Sequence, residues 1–424
     1  MVYVLNRYGK PLMPTTRYGR VRRLLRKGLA VVVDYRPFTI QLTYDTQNGV
    51  QAVSLGVDAG TKHVGFSATT KKKVLFEAEL LLRSDIVAKL ATRREFRRGR
   101  RNRKTRYRKP RFLNRTRSKK PGWLAPSIRQ KVECHIYWIM NICKLLPIKK
   151  ITVETAQFDV QLLNAQEQGL PLPQGTDYQK GEQLGFYNVR EYVLFRDGHK
   201  CQCCKGKSKD KRLHVHHIES RKTGGNAPNN LITLCSDCHA KYHRGEIEMP
   251  KTVRRGTVLH DAAVMGIMRK MLFRRLRSVI TDKIPCYETN GYITKSIRVA
   301  NNLPKEHVID ARCISGNPNV KSDGSCWIIR KLRVNNRQLH KASIQKGCIR
   351  KNNQLPREIM GFRLMDTVKF DGVRCFVNGR RSRGQFSVSD IFGKTINNSI
   401  THHNLVLINH NKTYLIKEAA LFSF

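Results

Sequence analysis

Residues 201–243 read CQCCKGKSKDKRLHVHHIESRKTGGNAPNNLITLCSDCHAKYH, the most specific stretch of this 424-residue chain. Cys201-x-x-Cys204 and Cys235-x-x-Cys238 carry the paired spacing of a tetrahedral four-thiolate zinc site, with Cys203 a bystander. Those two pairs predict a small zinc-stapled module over residues 188–250. A ribbon built only to hold zinc needs nothing beyond the four cysteines. It leaves unused the adjacent His216 and His217, then Asn230, then His239 and His243 at helical spacing.

Outward from this block, the composition names a partner. The chain has 81 Lys+Arg against 31 Asp+Glu, a formal net charge of +50. Such a surface repels itself unless a polyanion shares it. Nucleic acid is the default polyanion, because each neutralised phosphate releases counterions. No run of about 18 apolar residues points to a membrane. MVYVLNRYGKPLMP at the N-terminus lacks the apolar core of a secretory signal. A cytoplasmic location is therefore expected, where 12 cysteines are better read as metal ligands than as a disulfide framework.

The flanks of the block read as a mixed α/β protein. Residues 1–52 form a small unit in which Val31–Val33 and Phe38–Leu42 are β-rich. VSLGVDAG, VGFSATT and KVLFEAELLL, between Val53 and Leu82, predict three strands separated by turns. Sixteen of the 28 residues from Arg93 to Lys120 are Lys or Arg, and Glu95 is the only acid. Arg93, Arg97, Arg101, Lys104 and Arg108 would stack along one helix face, with Arg100 beside them. A solvated charged helix normally mixes signs, so residues 91–120 are expected to bind nucleic acid. Ser127 and Gln130 suggest a capping box. Ile128, Val132, Ile136, Ile139, Cys143 and Leu146 then trace the apolar stripe of a core helix that also carries a structural His135. KKITVET is the next strand, and residues 169–185 are linker-like. Beyond the block, His260–Ile280 reads as a helix, Lys283–Ser296 as strand and turn, and the tail from Ile328 as strands of a small barrel.

Acids recur at strand and helix ends in a telling order. Asp58 closes an apolar strand in GVDAGTKHVG, Glu154 closes another in ITVET, and KEHVIDARC sets His307 and Asp310 at i and i+3 of a helix. Strand acid, later strand acid, then helical His and Asp suit a phosphodiesterase with two magnesium ions about 4 Å apart.

Two resemblances complete the reading. LHVHHIESRKTGGNAPNNLITLC with CHAKYH resembles the HNH, or ββα-metal, nuclease motif. The resemblance implies that His217 is the general base and that Asn230 pins its loop. It also implies that His216, His239 and His243 hold one Mg²⁺ or similar ion. The whole chain resembles the IscB family of transposon-encoded RNA-guided nucleases, relatives of the type II CRISPR effectors. The likeness is carried by KPLMPTT, the acids around Asp58, Glu154 and His307/Asp310, the Arg-rich stretch, RFLNRTRSKKPGWLAP and GRRSRGQFSV. It implies a RuvC/RNase H-like domain split into residues 53–90, 121–187 and 251–331. A bridge helix (91–120) and the HNH domain (188–250) would interrupt it, with a β-rich domain (332–424) that meets a motif flanking the DNA target. Asp58, Glu154 and Asp310 would hold two Mg²⁺, or Mn²⁺, with His307 as a further catalytic group. The implied partners are an omega RNA guide and double-stranded target DNA, in a monomeric ribonucleoprotein. Ala59 stands where the family has Pro, and His216 where the CRISPR effectors commonly have Asp. A protein-only homing-type HNH endonuclease and a non-catalytic zinc RNA-binding protein are the alternatives.

Overall fold

The computed structural model describes residues 1–47, 49–101, 123–155, 189–208, 210, 212–218, 230–249, 260–280, 284–332, 343–344, 350–351 and 355–420. For 96–101, 191, 260–263, 270, 343–344 and 350–351 it gives the backbone only. Two compact units emerge. One gathers the described residues of Met1–Lys104, Pro126–Gln157 and Met268–Phe424, the other those of Thr105–Ala125 and Phe158–Ile267.

In the larger unit, β1 (Tyr3–Leu5), β2 (Ala30–Tyr35) and β3 (Phe38–Leu42) make a small sheet, with α1 (Tyr18–Arg26) supplying Val21 to its core. The expected three-strand run then appears as an antiparallel meander of β4 (Val53–Ala59), β5 (His63–Thr69) and β6 (Val74–Leu81). Its strands are nearly continuous apolar runs because both faces are covered; Leu55, Val57, Val64, Phe66, Ala78 and Leu80 are fully buried. Helix α2 (Ile86–Arg101) follows and holds Arg93 exposed, with Arg97, Arg100 and Arg101 further along its backbone; Lys104 and Arg108 lie outside the described residues. Helix α3 (Pro126–Leu145) buries Ile128, Val132, Ile136 and Ile139 as the stripe predicts. It starts on Pro126, whose missing N–H costs nothing in a first turn. Ser127 is therefore inside the helix, and the expected capping box does not form. Strand β7 (Ile148–Glu154) runs parallel to β4.

The smaller unit contains α4 (Val189–Arg196), the β8 (Leu213–His217) and β9 (Leu231–Cys235) hairpin, and α5 (Ser236–His243). Ile232 and Leu234 of β9 pack with Cys201, Cys235 and Cys238 into its core. Helix α6 spans His260–Val279.

The expectation of strand and turn over Lys283–Ser296 holds only in part. Strand β10 (Cys286–Thr289) pairs parallel with β7, but α7 (Gly291–Ala300) follows at once. The Asn290 side chain accepts the Ile293 N–H at 3.1 Å, an N-cap that overrides the local β preference of GYITKSIRVA. Helix α8 (His307–Ile314) then packs on the meander. Strand β11 (Ser325–Lys331) joins β6 in parallel. Strands β12 (Ser343–Ile344) and β13 (Arg350–Lys351) pair briefly. The tail forms β14 (Thr367–Phe370), β15 (Val373–Arg380), β16 (Gln385–Ser389), β17 (Thr395–Thr401) and β18 (Val406–Asn409), a five-stranded antiparallel sheet ordered β17-β16-β15-β14-β18. Among the described residues this sheet is open rather than a closed barrel. The last strand, β19 (Tyr414–Ala420), leaves it to pair with β11, so the large sheet is ordered β10-β7-β4-β5-β6-β11-β19.

A buried ion pair locks α8 to this sheet. Arg312 donates through Nε and Nη2 to the two oxygens of Glu77 at 2.7 and 2.9 Å, and the Ser67 and Ser322 hydroxyls donate to the same carboxylate. Among the described residues no helix is long and apolar enough to cross a membrane.

Candidate metal centres

Strand register builds the first centre. Asp58 on β4 lies directly opposite Glu154 on β7, because the two parallel strands end level. Helix α8 descends over the same strands, and glycine makes that possible. A Cβ on Gly65 would stand 1.9 Å from the His307 carbonyl oxygen, and one on Gly56 2.0 Å from that of Ala311. His307 thus reaches Asp58, its Nδ1 lying 2.6 Å from Oδ2. Asp310, one turn on, is paired with Arg298 of α7 at 2.9 Å, and the Thr294 hydroxyl of α7 donates to Glu154.

The charges here strain against one another. Burial, with the Asp58 and Asp310 charges behind it, raises the Glu154 carboxyl to about 7 despite the Thr294 hydrogen bond. Burial and then Asp58 push Asp310 up as well. Its hydrogen bond to Asp58 raises His307 against the opposing effect of burial. A half-buried set of mutually repelling carboxylates is a donor set that hard dications stabilise, so the residues fit magnesium or manganese. The three acids do not all fall within one ion's reach. Among the described residues the tight cluster beside them is instead His63, Glu79 and His307, whose ligand atoms lie within 4.8 Å of one another.

The second centre stands on the β8–β9 hairpin and α5. Cys201, Cys204, Cys235 and Cys238 bring their sulfurs within 4.8 Å of one another, so the cluster could hold zinc. The Cys204–Cys235 sulfur separation is 3.9 Å; ligands 2.3 Å from a tetrahedral ion stand about 3.8 Å apart. Burial pushes Cys204 up, but the N–H groups around Ser208 and Gly206 outweigh it and bring the thiol down to about 6. That thiolate is ready-made for a metal.

The cysteine pairs also fix where the histidines go. Cys235 caps α5 by accepting the Cys238 N–H at 3.5 Å, so α5 starts where β9 ends. His239 and His243 lie one turn apart on α5, His216 lies on β8, and their ligand nitrogens lie within 4.8 Å of one another. Burial first, then the neighbouring His239 and His243, lowers His216 to about 4; burial and His243 lower His239. His216 and His239 are therefore neutral at neutral pH, the form that binds metal. Their all-nitrogen donor set fits manganese, cobalt or zinc better than magnesium, which needs added oxygen ligands. His217, the next residue on β8, points to the opposite face of the strand from His216. Asn230 is buried, and its carbonyl accepts the Ile218 N–H at 2.8 Å, tying the strand ends together next to His217.

Sequence reading singled out neither Thr294 nor Arg298, which hold Glu154 and Asp310, nor His63 and Glu79. The Asn290 cap with Ile293 and Ile297 four apart was the available signal for α7.

Comparison with known proteins matches two regions of the chain. Residues 2–181 match the RRXRR protein family, and residues 201–245 match the HNH endonuclease domain. The two matched regions follow one another along the chain, the RRXRR region first and the HNH domain after it. That pairing fits the IscB-like nuclease that the sequence resembles. Over 62 residues the chain is 33% identical to Anaredoxin of Nostoc sp., covering 14% of this chain and 79% of that protein, and over that stretch the two belong to one family. Among solved structures, Streptococcus thermophilus Cas9 in complex with AGGA PAM is similar at a TM-score of 0.30 and 12% identity over 54% of this chain. The Type II-C Cas9 enzyme from Actinomyces naeslundii gives a TM-score of 0.21 and 10% identity, over 63% of this chain and 60% of that one. The present chain spans 32% of the Streptococcus chain's length.

Proposed function

We propose that this chain is an RNA-guided DNA endonuclease of the IscB type with two cutting centres. The observation that carries the reading is the coexistence of two unlike metal-competent sites. One is an imidazole triad beside His217 in an HNH domain; the other is an acid row on a large mixed sheet. Strands β6-β5-β4-β7-β10, with only β5 antiparallel to the rest, follow the 3-2-1-4-5 order of RNase H-like folds. This supports a split RuvC domain over residues 53–90, 121–187 and 251–331, with HNH at 188–250.

In the HNH centre, His217 takes the proton from the attacking water, a task for which an imidazole is suited near neutral pH. Asn230 fixes the strand end that aims it, and His216, His239 and His243 hold one ion. In the other centre Asp58, Glu154 and Asp310 hold two ions, and His307 is positioned by Asp58 to handle a proton at the phosphate. When bound, these ions supply charge for the scissile phosphate and acidify a water. Thr294 and Arg298 keep Glu154 and Asp310 aimed until then.

Sequence specificity would come from base pairing with an omega RNA, HNH cutting the paired strand and the Asp58 centre the displaced one. The bridge residues Arg93, Arg97, Arg100, Arg101, Lys104 and Arg108 would grip RNA and heteroduplex backbone. Residues 332–424 would meet the flanking motif, in a monomeric ribonucleoprotein.

The test is to co-express the chain with its native flanking DNA, purify it in high salt and sequence the retained RNA. A discrete structured RNA with a variable segment is expected. Duplexes matched to that segment should then lose only displaced-strand cutting in Asp58→Ala and only paired-strand cutting in His217→Ala. Heterogeneous RNA that washes off with salt, together with site-specific cutting by RNA-free protein, would replace this reading with a protein-only HNH endonuclease.

A further inference from the structure

One row of the large sheet runs beyond the Asp58 centre. Glu154 is opposite Asp58, Asp58 is opposite Gly65, and Gly65 is opposite Glu79. All four positions therefore share a face. Gly65 leaves a gap in that row, and the first turn of α8 fills it, which sets His307 between Asp58 and Glu79. His63 precedes Gly65 by two residues and so shares its face. Its ring stacks on His307 with centroids 5.1 Å apart and planes 10° apart. His63 Nδ1 lies 2.7 Å from Glu79 Oε1.

We propose that His63, Glu79 and His307 form a further metal site, for a first-row transition dication of the zinc and cobalt class, and that filling it ties up the His307 imidazole that the Asp58 centre would use. The second clause rests on the function proposed above; the first does not. Two imidazoles and one carboxylate match such ions, whereas magnesium prefers oxygen. Ligand atoms on one tetrahedral ion of this class stand about 3.3 Å apart, given bonds of roughly 2.0–2.1 Å, so the 2.7 Å His63–Glu79 contact needs to open by only about 0.6 Å to admit one. With Nδ1 of His307 turned to Asp58, its Nε2 is the ligand nitrogen, and Asp58 becomes the carboxylate that orients a metal-bound histidine. The site is reachable, since the His63 and His307 side chains are 44% and 46% exposed.

The consequence is a brake. Zinc at this site would bind the imidazole that the Asp58 centre needs, while magnesium alone would leave His307 available.

Two measurements on the full-length protein decide it. First, the zinc-loaded chain is equilibrated with cobalt in excess magnesium, and bound metals are counted by elemental analysis. His63→Ala and Glu79→Gln should each bind one equivalent of cobalt fewer than wild type. His239→Ala, which marks the imidazole triad, should lose a different equivalent, so that His63→Ala with His239→Ala loses both. Equal cobalt in wild type, His63→Ala and Glu79→Gln, all with native melting curves, overturns the site. Second, displaced-strand cutting in magnesium is followed as zinc rises, each variant normalised to its own zinc-free rate. Wild type should be inhibited at zinc concentrations about ten-fold or more below those that inhibit His63→Ala; identical inhibition overturns the brake. If wild type makes no guided cut in magnesium at all, the nuclease reading fails, and the cobalt count still decides the metal site.

Discussion

Gly65→Ala tests the claim that glycine sets the geometry of the acid centre. The added Cβ would stand 1.9 Å from the His307 carbonyl oxygen and 2.5 Å from its carbonyl carbon, both backbone atoms that cannot rotate aside. Helix α8 must back away by about 1 Å or more before the contact becomes tolerable in a close-packed interior. That movement carries His307 and Asp310 off Asp58 and Glu154 together, because both ride on the first turn of α8. A misplacement of about 1 Å costs roughly 100-fold in rate when reacting groups must be aligned. Overpacking should cost about 1–3 kcal/mol of stability. The assay is a guided duplex labelled on both strands, with each strand's cutting rate read separately. Displaced-strand cutting should fall about 100-fold, while paired-strand cutting at the HNH histidines persists. Gly56→Ala should behave alike, since its Cβ would meet Ala311 O at 2.0 Å and Ser315 N at 2.5 Å. Gly19→Ala is the control: it meets nothing within 4 Å and should be neutral or stabilising by up to about 1 kcal/mol. An unchanged ratio of strand rates in a folded Gly65→Ala protein would refute the reasoning.

Glu154→Gln should abolish displaced-strand cutting yet flatten the pH dependence of stability in chelator. The folded chain holds the Glu154 proton up to about pH 7, so stability present at acid pH is lost as pH rises through that value. The loss, discounted for partial exposure, is about 1 kcal/mol and is read from melting temperatures at about pH 4 and about pH 8, which bracket the interval between the unfolded and folded carboxyl values. Arg312→Met leaves Glu77 buried without its partner and should cost about 3–5 kcal/mol in urea denaturation, largely recovered by adding Glu77→Gln; a cost near zero would show that the pair does not lock α8. Cys204→Ala should lower zinc content by one ion per chain and end paired-strand cutting, with displaced-strand cutting retained; intact zinc would sink the four-cysteine assignment. Replacing magnesium with manganese should favour paired-strand over displaced-strand cutting, because His216, His239 and His243 offer only nitrogen.

Local chemistry made much of this protein legible. Cysteine pairs announce the small unit, apolar runs announce the β4–β6 meander, and i, i+3 spacing puts His307 and Asp310 on one helical face. What sequence hid was long-range register. Nothing local says that β19 leaves its neighbours to pair with β11, or that Asp58, Gly65 and Glu79 fall in one row. Glu77 and Glu79 look like ordinary acids in an apolar strand, yet one meets Arg312 in the core and the other meets His63 near the surface. In GYITKSIRVA the β-branched residues mislead, since only the cap and the burial of Thr294 make it a helix.

The two centres meet opposite electrostatic problems, which argues that they are not variants of one site. Burial lowers His216 and His239 of the imidazole triad toward the neutral form, so an ion held there would keep its charge and attract phosphate. The acid row is the reverse. Its carboxylates repel one another and would repel DNA as well, although the chain as a whole carries a formal charge of +50. Basic surface can gather a polyanion from a distance, but screening confines that pull to about 10 Å at moderate salt. Over the last few ångströms the local charge decides. A phosphate can therefore settle against Asp58 and Glu154 only once cations have turned that row from repulsive to attractive, whereas the histidine triad presents no such barrier. The raised Glu154 carboxyl is the structural trace of that unmet charge, and Arg298 and Thr294 are the partners that hold the row together until it is met.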